Sequence, residues 1–454
     1  MWPAAVVAVV SAVAYLAMAP RVVNGDGLGY LKAALAGTIY PGHVAYVPLL
    51  ALVARVTGAT RPIALLWPAR VLSAISVAVA VALIGSIARR RWAADAAASA
   101  AASAGATALA ASIGLAASWG ALSAGSDVES YAPALAALVA ALWLADRQRP
   151  VAAGLACAAA TLFHVENLLF IPVAALLLER RVRFAIAAVL PIALVYGALL
   201  PSHGLGWLAG ASHGLHYPLR WTTPFVAIYG ACKALVYSPY LYEASAARVV
   251  GCFAVGAAAA IALATGMRRP LPRAVMLAWF VPYALVGVLF WASDAERWTF
   301  LLPLVWLAAA ARPRRAIAVA TFVLAANLVA WLPVAKDDRV RARAKAAALQ
   351  LRDGDVVIGP GHGWDEYLGF YSRLHITSVP LVYYAGAVGK EALPATIARA
   401  CAGHRVWLAR FTDDGDPMGW KELRLFGIDR VNARALLPPG HAIPVADGLE
   451  RYDP

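Results

Sequence analysis

The sequence predicts a polytopic α-helical membrane protein with a small α/β domain at its C-terminal end. The chain of 454 residues is 62% hydrophobic and only 14% charged. Its apolar runs reach or approach the roughly 20 residues that a helix needs to cross a bilayer, and they recur from residue 2 to residue 334. Beyond Pro333, charged residues, glycines and alternating β-branched residues become frequent. We therefore assign residues 1–335 to a transmembrane domain and residues 336–454 to a soluble domain.

Arginine clusters at the ends of the apolar runs predict how the chain is oriented. The net charge is +14, but the arginines form short groups that bound apolar runs, which is typical of membrane topology and not of a nucleic-acid-binding surface. Neighbouring clusters are separated by enough apolar sequence for one helical hairpin, so all of them can face the cytoplasm. The clusters are Arg89–Arg91, Arg147 with Arg149, Arg180–Arg181 with Arg183, Arg268–Arg269 with Arg273, and Arg312 with Arg314–Arg315.

Eleven membrane spans follow from this arrangement, with the N-terminus in the cytoplasm and the C-terminal domain outside. Four basic residues in the first outside loop argue against this orientation, but the later hairpins outnumber them. The apolar segment Pro41–Thr57 is interpreted as an interfacial or re-entrant helix, because a further span would move the Arg89 cluster outside. The first span ends in LAMAP, which resembles a signal-peptide cleavage site, but no Lys or Arg precedes it, so we expect it to be retained. The predicted spans are residues 2–19, 62–88, 93–118, 132–146, 150–163, 168–179, 184–200, 247–267, 274–291, 298–311 and 316–334.

The segments that this topology puts outside carry most of the residues capable of acid–base or polar chemistry. Acids avoid apolar helices, so their position at loop tips alone is explained by solvation. Three acidic loops on one face, with no comparable group on the other, favour a common site instead. The residues are Asp26, Tyr30, Lys32, Tyr40 and His43 in the first loop, Asp127 and Glu129 in SDVESY, His164 and Glu166 in FHVEN, and Asp294, Glu296 and Arg297 in SDAERW.

This layout resembles the GT-C superfamily of integral-membrane glycosyltransferases, especially bacterial members similar to protein O-mannosyltransferases and to the aminoarabinose transferase of lipid A. The resemblance is carried by VVNGDGLGY after the first span, the D-x-E of SDVESY, IYPGHVAYVPL and AERWTFLLPLVWL. It implies that Asp26 is the catalytic acid or base, that Asp127 and Glu129 form the second acidic pair, and that the soluble domain lies on the outer face. Many members have two adjacent acids in the first loop, whereas this chain has Gly25-Asp26-Gly27. That difference bears on metal use more than on the fold.

Transfer of a sugar from a polyprenyl phosphate requires few protein groups. The leaving phosphate is stable as an anion, so the protein has to deprotonate the acceptor and to neutralise charge on the phosphate. Asp26 is the candidate general base; its flanking glycines allow close backbone approach and unusual dihedral angles, or else only turn the chain. Arg297 is the candidate phosphate ligand, because a guanidinium binds two oxygens at once, or else it only pairs with Glu296 or Asp294.

Further residues are expected to contact the substrate. Asp127 and Glu129 either hydrogen-bond sugar hydroxyls or, with Asp26, hold a hard divalent cation; we favour the metal-free alternative and expect no cofactor. His164 and Glu166 either position the acceptor or form a polar hairpin tip. The first loop adds Tyr30 and His43.

Other patterns are not expected to form metal or disulfide sites. The four cysteines have no patterned spacing, so neither a disulfide framework nor a zinc site is predicted. His213 and His216 lie in a stretch broken by Gly and Pro, without a nearby Cys or carboxylate, and a metal site there is disfavoured.

In the soluble domain, strand-like and helix-like segments alternate, which predicts a small parallel sheet flanked by helices. The strand-like segments are DVVIG, ITSVPLVYY and RVWLAR, and the helix-like ones are EALPATIARACAG and WKELRLFGI. The glycine-rich IGPGHGWDEYLGFY, which contains His362 and Asp365, is interpreted as an ordinary turn in preference to an anion-binding one.

We therefore expect a membrane glycosyltransferase of the bacterial inner (plasma) membrane. It would move a hexosyl or pentosyl group from a polyprenyl-phosphate-linked sugar to a lipid, glycan or protein acceptor on the extracytoplasmic face, in contact with membrane lipids and without nucleic acid. One alternative is a transporter or lipid-sugar flippase, which would usually show two related halves and ionisable residues near the middle of its spans; the sequence contains neither. Another is a GT-C-like protein that binds lipid-linked sugar without catalysis.

Overall fold

The chain forms two compact units. In this computed structural model the described residues are 2–93, 100–204, 222–239, 245–361, 363–372, 374–411, 418–446 and 448–453. One unit comprises Met1–Pro239 and Ala246–Ala335, and the other comprises Lys336–Pro454 with the short stretch Tyr240–Ser245. The chain is mostly helical, at 71%, and its only described sheet lies in the second unit.

The first unit is built from helices alone among its described residues. Many are apolar on most of their surface, as expected of helices surrounded by lipid or by one another. They are α1 (Trp2–Ala17), α2 (Gly25–Ala36), α3 (Tyr46–Thr57), α4 (Pro62–Ala93), α5 (Ala100–Ala117), α6 (Trp119–Ser126), α7 (Tyr131–Ala145), α8 (Pro150–Phe163), α9 (Phe170–Leu176), α10 (Arg181–His203), α11 (Thr223–Leu235), α12 (Ala246–Ala264), α13 (Arg273–Trp291), α14 (Glu296–Thr299), α15 (Leu302–Ala309) and α16 (Pro313–Ala335), with a 3₁₀ turn at Val165–Leu169.

Four of the described helical stretches are long and apolar enough to cross a membrane. They are Pro62–Trp92, Arg181–His203, Ala246–Ala264 and Pro313–Ala348, and a fifth is added if the bent pair Ala104–Ala117 and Trp119–Ser126 counts as one span. The eleven predicted spans are therefore not confirmed as a number. The others correspond to apolar helices such as Tyr131–Ala145 and Pro150–Phe163, which are shorter than the roughly 20 residues of a full crossing.

The segment that carries Asp26 is a helix and not an open loop. Asn24 caps α2 with its side chain, and Gly37 ends the helix at a φ of 72°, a left-handed conformation that favours glycine. Gly25 and Gly27 are helical, so the expectation that they supply unusual dihedral angles is wrong. The helix α3 that follows has twelve residues, and the interpretation of Pro41–Thr57 as a segment that does not span stays a prediction.

The two ends of the first unit differ in charge. On α4, twenty residues separate Arg70 from Arg90, which amounts to about 30 Å at 1.5 Å per residue, the thickness of a hydrocarbon core. Near the Arg70 end lie the acidic connections described below. At the other end, Arg90 and Arg91 contact the buried carboxylate of Asp146 at 3.2 and 2.6 Å. Further contacts at that end join Trp92 to Leu307, Gln148 to Leu177 and Arg312 to Thr265.

Asn327, in the middle of α16, satisfies backbone groups at two helix ends. The bend of 64° between α5 and α6 exposes the carbonyl oxygen of Ala117, which accepts a hydrogen bond of 2.7 Å from Asn327 Nδ2. The same nitrogen donates to Leu235 at the end of α11 at 3.0 Å, and Oδ1 accepts the Tyr237 N–H at 2.6 Å. An unpaired backbone group in an apolar interior costs several kcal/mol, about as much as a lost hydrogen bond in that medium, so this fully buried amide stabilises both ends.

The second unit contains one five-stranded mixed sheet. Its strands are β1 (Val356–Gly359), β2 (Thr377–Pro380), β3 (Val406–Ala409), β4 (His441–Ala446) and β5 (Leu449–Asp453), in the order β2-β1-β3-β5-β4. The first three strands are parallel, and β5 and β4 add an antiparallel hairpin. Its helices are α17 (Arg339–Ala348), α18 (Leu368–Tyr371), α19 (Leu381–Val388), α20 (Leu393–Cys401), α21 (Met418–Leu423) and α22 (Arg430–Arg434).

Two details of this unit differ from the sequence-based expectation. The predicted strand ITSVPLVYY stops at Pro380, and LVYY begins a helix whose Leu381, Val382 and Ala385 pack in the same core as the strands. The β4–β5 hairpin was not predicted, and the sheet is consequently mixed and not purely parallel. Asp365 and Arg410 form a buried ion pair of 2.8 Å beside the glycine-rich turn after β1, and His362 lies outside the described residues.

Candidate functional site

Residues from several separated segments of the first unit converge near one end of its helices. The connection between α6 and α7 is held to α4, because the buried guanidinium of Arg70 donates two hydrogen bonds of 3.0 and 3.2 Å to Asp127 Oδ1. The other carboxylate oxygen of Asp127 accepts the backbone N–H of Asn24 at 2.8 Å. A carboxylate that was predicted to contact sugar is thus the link between α4 and the start of α2.

The first turn of α2 packs tightly on this connection. Asn24 Oδ1 accepts the Gly27 N–H at 2.5 Å, and Asn24 Nδ2 donates to Glu129. A Cβ atom at position 27 would lie 2.8 Å from the carbonyl oxygen of Val128, closer than side chains approach. The expected close backbone approach at this glycine is therefore present, with helical dihedral angles.

Asp26 lies at the edge of a cluster of acids. Its side chain is exposed, whereas Glu129 is 2% exposed. Burial raises the pKa of the Glu129 carboxyl well above its usual range, and the charges of Glu296, Asp26 and Asp127 raise that pKa further. The pKa of Glu296 is raised for the same reasons, by burial and then by the charges of Asp294 and Asp26. Burial, and then the repulsion between acids from α2, the connection before α7 and the start of α14, therefore favour the protonated forms of Glu129 and Glu296.

Aromatic and imidazole rings form one wall of the cluster. The ring of Tyr30 is 5.3 Å from that of His43, which is 4.9 Å from the ring of His164, and Tyr131 lies 4.3 Å from His164. Burial lowers the pKa of His43 to about 3 and that of His164 well below its usual value, with neighbouring positive charge adding to the effect. Both imidazoles are thus neutral at physiological pH. The Tyr30 hydroxyl lies 3.4 Å from Ser130 Oγ.

Arg297 joins two further acidic segments. Its Nη1 donates a short hydrogen bond to Glu166 Oε1, and its Nε lies 3.7 Å from Asp294 Oδ2. Glu166 also approaches His164 Nδ1 at 3.9 Å, which is too long for a hydrogen bond. The predicted pairing of Arg297 with an acid of its own hairpin is present for Asp294, but its nearest partner is Glu166 from the connection between α8 and α9.

Several buried polar atoms of this cluster have no hydrogen-bond partner among the described residues. Buried polar atoms are normally paired, so such atoms mark places where a polar ligand or water fits. They are Tyr46 Oη, Glu129 Oε2, Tyr131 Oη, His164 Nδ1 and Glu166 Oε2.

Several residues of the cluster were missed from the sequence, among them Arg70, Lys233, Asn24, Tyr46 and Tyr131. Arg70 lies inside a predicted span, toward its N-terminal end, and a charge within an apolar run was the signal. Lys233, buried in α11, interacts electrostatically with Glu296 and was detectable in the same way. Asn24 gives only the ordinary signal of a helix cap, and its bond to Glu129 is not visible in the sequence.

Other residues of the segments predicted to lie outside are not part of this cluster or are not described. His203 ends α10 and bonds within its own last turn, and His213 and His216 lie outside the described residues. Asp365 belongs to the second unit. In the described part of the chain, no three His, Cys, Asp or Glu side chains are arranged to hold a metal ion.

Comparison with known proteins does not identify a family. No protein-family model matches the chain, no curated protein matches it, and no solved structure matches it.

Proposed function

We propose that the protein is a membrane glycosyltransferase that moves a sugar from a polyprenyl-phosphate donor to an acceptor on the extracytoplasmic face, with Asp26 as general base. The observation that supports this best is the convergence of Asp26, Glu129, Glu296 and Arg297 near one end of apolar helices. A lipid-linked donor has its sugar and phosphate at the surface of the bilayer. A cluster at the end of membrane helices would lie at the same depth and could contact them. In this proposal the arginine-rich end faces the cytoplasm of a bacterial inner membrane.

The proposed reaction is a displacement at the anomeric carbon. Asp26 accepts the proton of the acceptor hydroxyl or amine as its oxygen or nitrogen bonds to the anomeric carbon, and the bond from that carbon to the phosphate oxygen breaks. The electron pair leaves with the polyprenyl phosphate, which is stable as an anion. An exposed carboxylate at the edge of the cluster suits this role because the acceptor arrives from outside.

The remaining residues have binding roles in this proposal. Arg297 contacts the donor phosphate, and since Glu166 and Asp294 already share its guanidinium, donor binding exchanges one carboxylate for phosphate oxygens. Neutral His43 and His164 and the hydroxyl of Tyr30 are suited to hydrogen bonds with sugar hydroxyls. We assign these three residues to sugar recognition because they are uncharged. The negative charge of the donor phosphate is balanced by Arg297. Glu129 and Glu166 contribute acceptors for sugar hydroxyls through the oxygens that lack partners.

The deciding experiment compares the wild-type protein with Asp26→Asn in membranes supplied with radiolabelled polyprenyl-phosphate sugars. We expect wild-type membranes to attach label covalently to a product and the folded variant to attach none. Asp337→Asn makes the same substitution at an acid of the second unit, paired only with its neighbour Arg339 in the described contacts, and should transfer like the wild type. Equal transfer by the Asp26 variant would remove Asp26 from the role of base.

The same membranes test the alternatives. If wild-type vesicles accumulate labelled solute or move the lipid-linked sugar between leaflets without forming a covalent product, the protein is a transporter or flippase. Binding of the donor without either result would describe a GT-C-like protein without catalysis.

A further inference from the structure

Asn24 makes more contacts than a helix cap requires. Its side-chain oxygen accepts the Gly27 N–H at 2.5 Å and its carbonyl oxygen accepts the Leu28 N–H at 2.9 Å, which are the bonds of an ordinary cap. In addition, its backbone N–H donates to Asp127 and its side-chain nitrogen donates to Glu129. The residue therefore joins the first turn of α2 to both acids of the connection before α7.

Capping alone does not explain why this residue is asparagine. Serine, threonine and aspartate cap helices about as well. Serine and threonine are too short to cap the helix and also reach Glu129, and aspartate would bring a second carboxylate against that side chain. Among good caps, only asparagine accepts from the helix and donates to Glu129 at the same time.

Asp26 lies two residues after Asn24, in the turn that these bonds hold. On one side Asp127 is anchored to α4 by Arg70, and on the other the backbone at Gly27 rests on Val128. The bonds of the cap residue therefore fix the turn that carries Asp26 relative to Glu129.

We propose that Asn24 is a positioning residue that fixes the proposed base Asp26 against Glu129, an inference that rests on the proposed function only for the role of Asp26. When another capping residue replaces Asn24, α2 stays folded, but the Asp26 carboxylate is no longer held in its place beside the donor site.

Glu129 offers a way to observe this link directly. The groups that face it from other elements are Asp26 and Tyr30 on α2, Tyr46 on α3 and Glu296 on α14, together with Asp127 beside it. The carboxylates among them raise the pKa of Glu129, and the hydrogen bond from Asn24 lowers it. Loss of that bond, or its replacement by a carboxylate, should therefore raise the pH at which Glu129 loses its proton.

The first measurement uses a hydrophobic carbodiimide, which modifies protonated carboxyls in apolar surroundings, on the full chain in native membranes. Modification of Glu129, quantified by mass spectrometry across a pH series, should persist to higher pH in Asn24→Asp than in the wild type. Asn24→Ser, which keeps the cap and loses the link, should shift in the same direction by less. An unchanged pH midpoint in Asn24→Asp would overturn the proposal, whatever the activity.

The second measurement is transfer from the radiolabelled donor. Asn24→Asp should lower kcat on the order of tenfold, which is about the effect of one lost hydrogen bond, with a melting temperature close to that of the wild type. In the double variant Asn24→Asp/Glu129→Gln, the carboxylate at 24 accepts from the amide at 129, so transfer should equal that of Glu129→Gln alone. Independent, multiplying losses would contradict the link.

The two measurements separate the inference from the function it builds on. If wild-type membranes transfer no sugar while the carbodiimide midpoint still shifts in Asn24→Asp, the transferase proposal fails and the link between Asn24 and Glu129 stands. If transfer depends on Asp26 but not on the residue at position 24, the transferase proposal stands and the positioning role is refuted.

Discussion

Arg70 offers the sharpest test of how the acidic end is held together. The side chains of Arg70 and Asp127 are 6% and 7% exposed, and both guanidinium contacts go to one carboxylate oxygen. In Arg70→Met, Asp127 keeps the Asn24 N–H but loses its only described cation. Breaking a buried pair by removing one partner costs about 3–5 kcal/mol. Protonation of Asp127 at low pH should recover part of that loss.

The expected loss in the free energy of unfolding distinguishes the buried pair of Arg70 and Asp127 from the exposed arginines. Arg312→Met removes an exposed side chain that bonds only the Thr265 carbonyl oxygen in the described contacts, and it should change the free energy of unfolding by about 0.5 kcal/mol or less. The double variant Arg70→Met/Asp127→Asn removes both charges and should recover most of the loss. The assay is chemical denaturation of the full chain in detergent micelles or nanodiscs, followed by tryptophan fluorescence. Equal stability of Arg70→Met and Arg312→Met would refute the buried pair.

Two further predictions concern the same end of the molecule. Gly27→Ala should lower both thermal stability and sugar transfer, because the added methyl group would lie 2.8 Å from the Val128 carbonyl oxygen, and Gly29→Ala, which meets only the Tyr40 hydroxyl at 3.8 Å, serves as the control. The contribution of Glu129 to the melting temperature should fall as pH rises from about 5 to 8, because folding raises the pKa of Glu129, and the stabilisation from its proton is complete below the unfolded pKa and is lost toward the folded one. His43 and His164, whose pKa values are lowered by folding, contribute in the opposite direction in the wild type and in a Glu129 variant alike.

Each of these two predictions has an outcome that would contradict it. A Gly27→Ala protein as stable and active as Gly29→Ala would show that α2 does not press on the Val128 carbonyl. For the pH dependence, Glu129→Gln should melt with a shallower decline over the same range, and a slope equal to that of the wild type would show that Glu129 is ionised throughout. Glu296 retains part of the slope in either protein, since its pKa is raised as well.

The sequence predicted the helices and the acidic connections because each has a local physical cause. Apolar runs bounded by arginines form helices in membranes and in apolar cores alike, so Pro150–Phe163 was predicted to the residue. Acids are costly in such helices, which explains why Asp127 and Glu129 lie in a connection and Glu296 at the start of the short helix α14. The number of membrane crossings was harder to predict, because several of these helices are so short that their length does not show whether they cross the membrane.

What the sequence did not reveal depends on contacts between distant segments. The bond from Asn24 to Glu129 spans 105 positions in the chain and has no local signature. The helix LVYY contradicts the strand preference of its β-branched and aromatic residues, because packing against the sheet outweighs propensity. Strand β4 contains Pro444 and lacks a clear alternation, so the pattern that identifies strands is weak there.

Asn327 has a consequence for how the acidic end responds to mutation. A single uncharged amide holds both the bend that leads into α6, and so to Asp127, and the end of α11, which carries Lys233. An acid and a cation of the cluster therefore share one anchor in the apolar interior. Replacement of Asn327 by leucine would shift Asp127 and Lys233 together. Inherited variation far from the charged residues can therefore change their positions without substituting any of them.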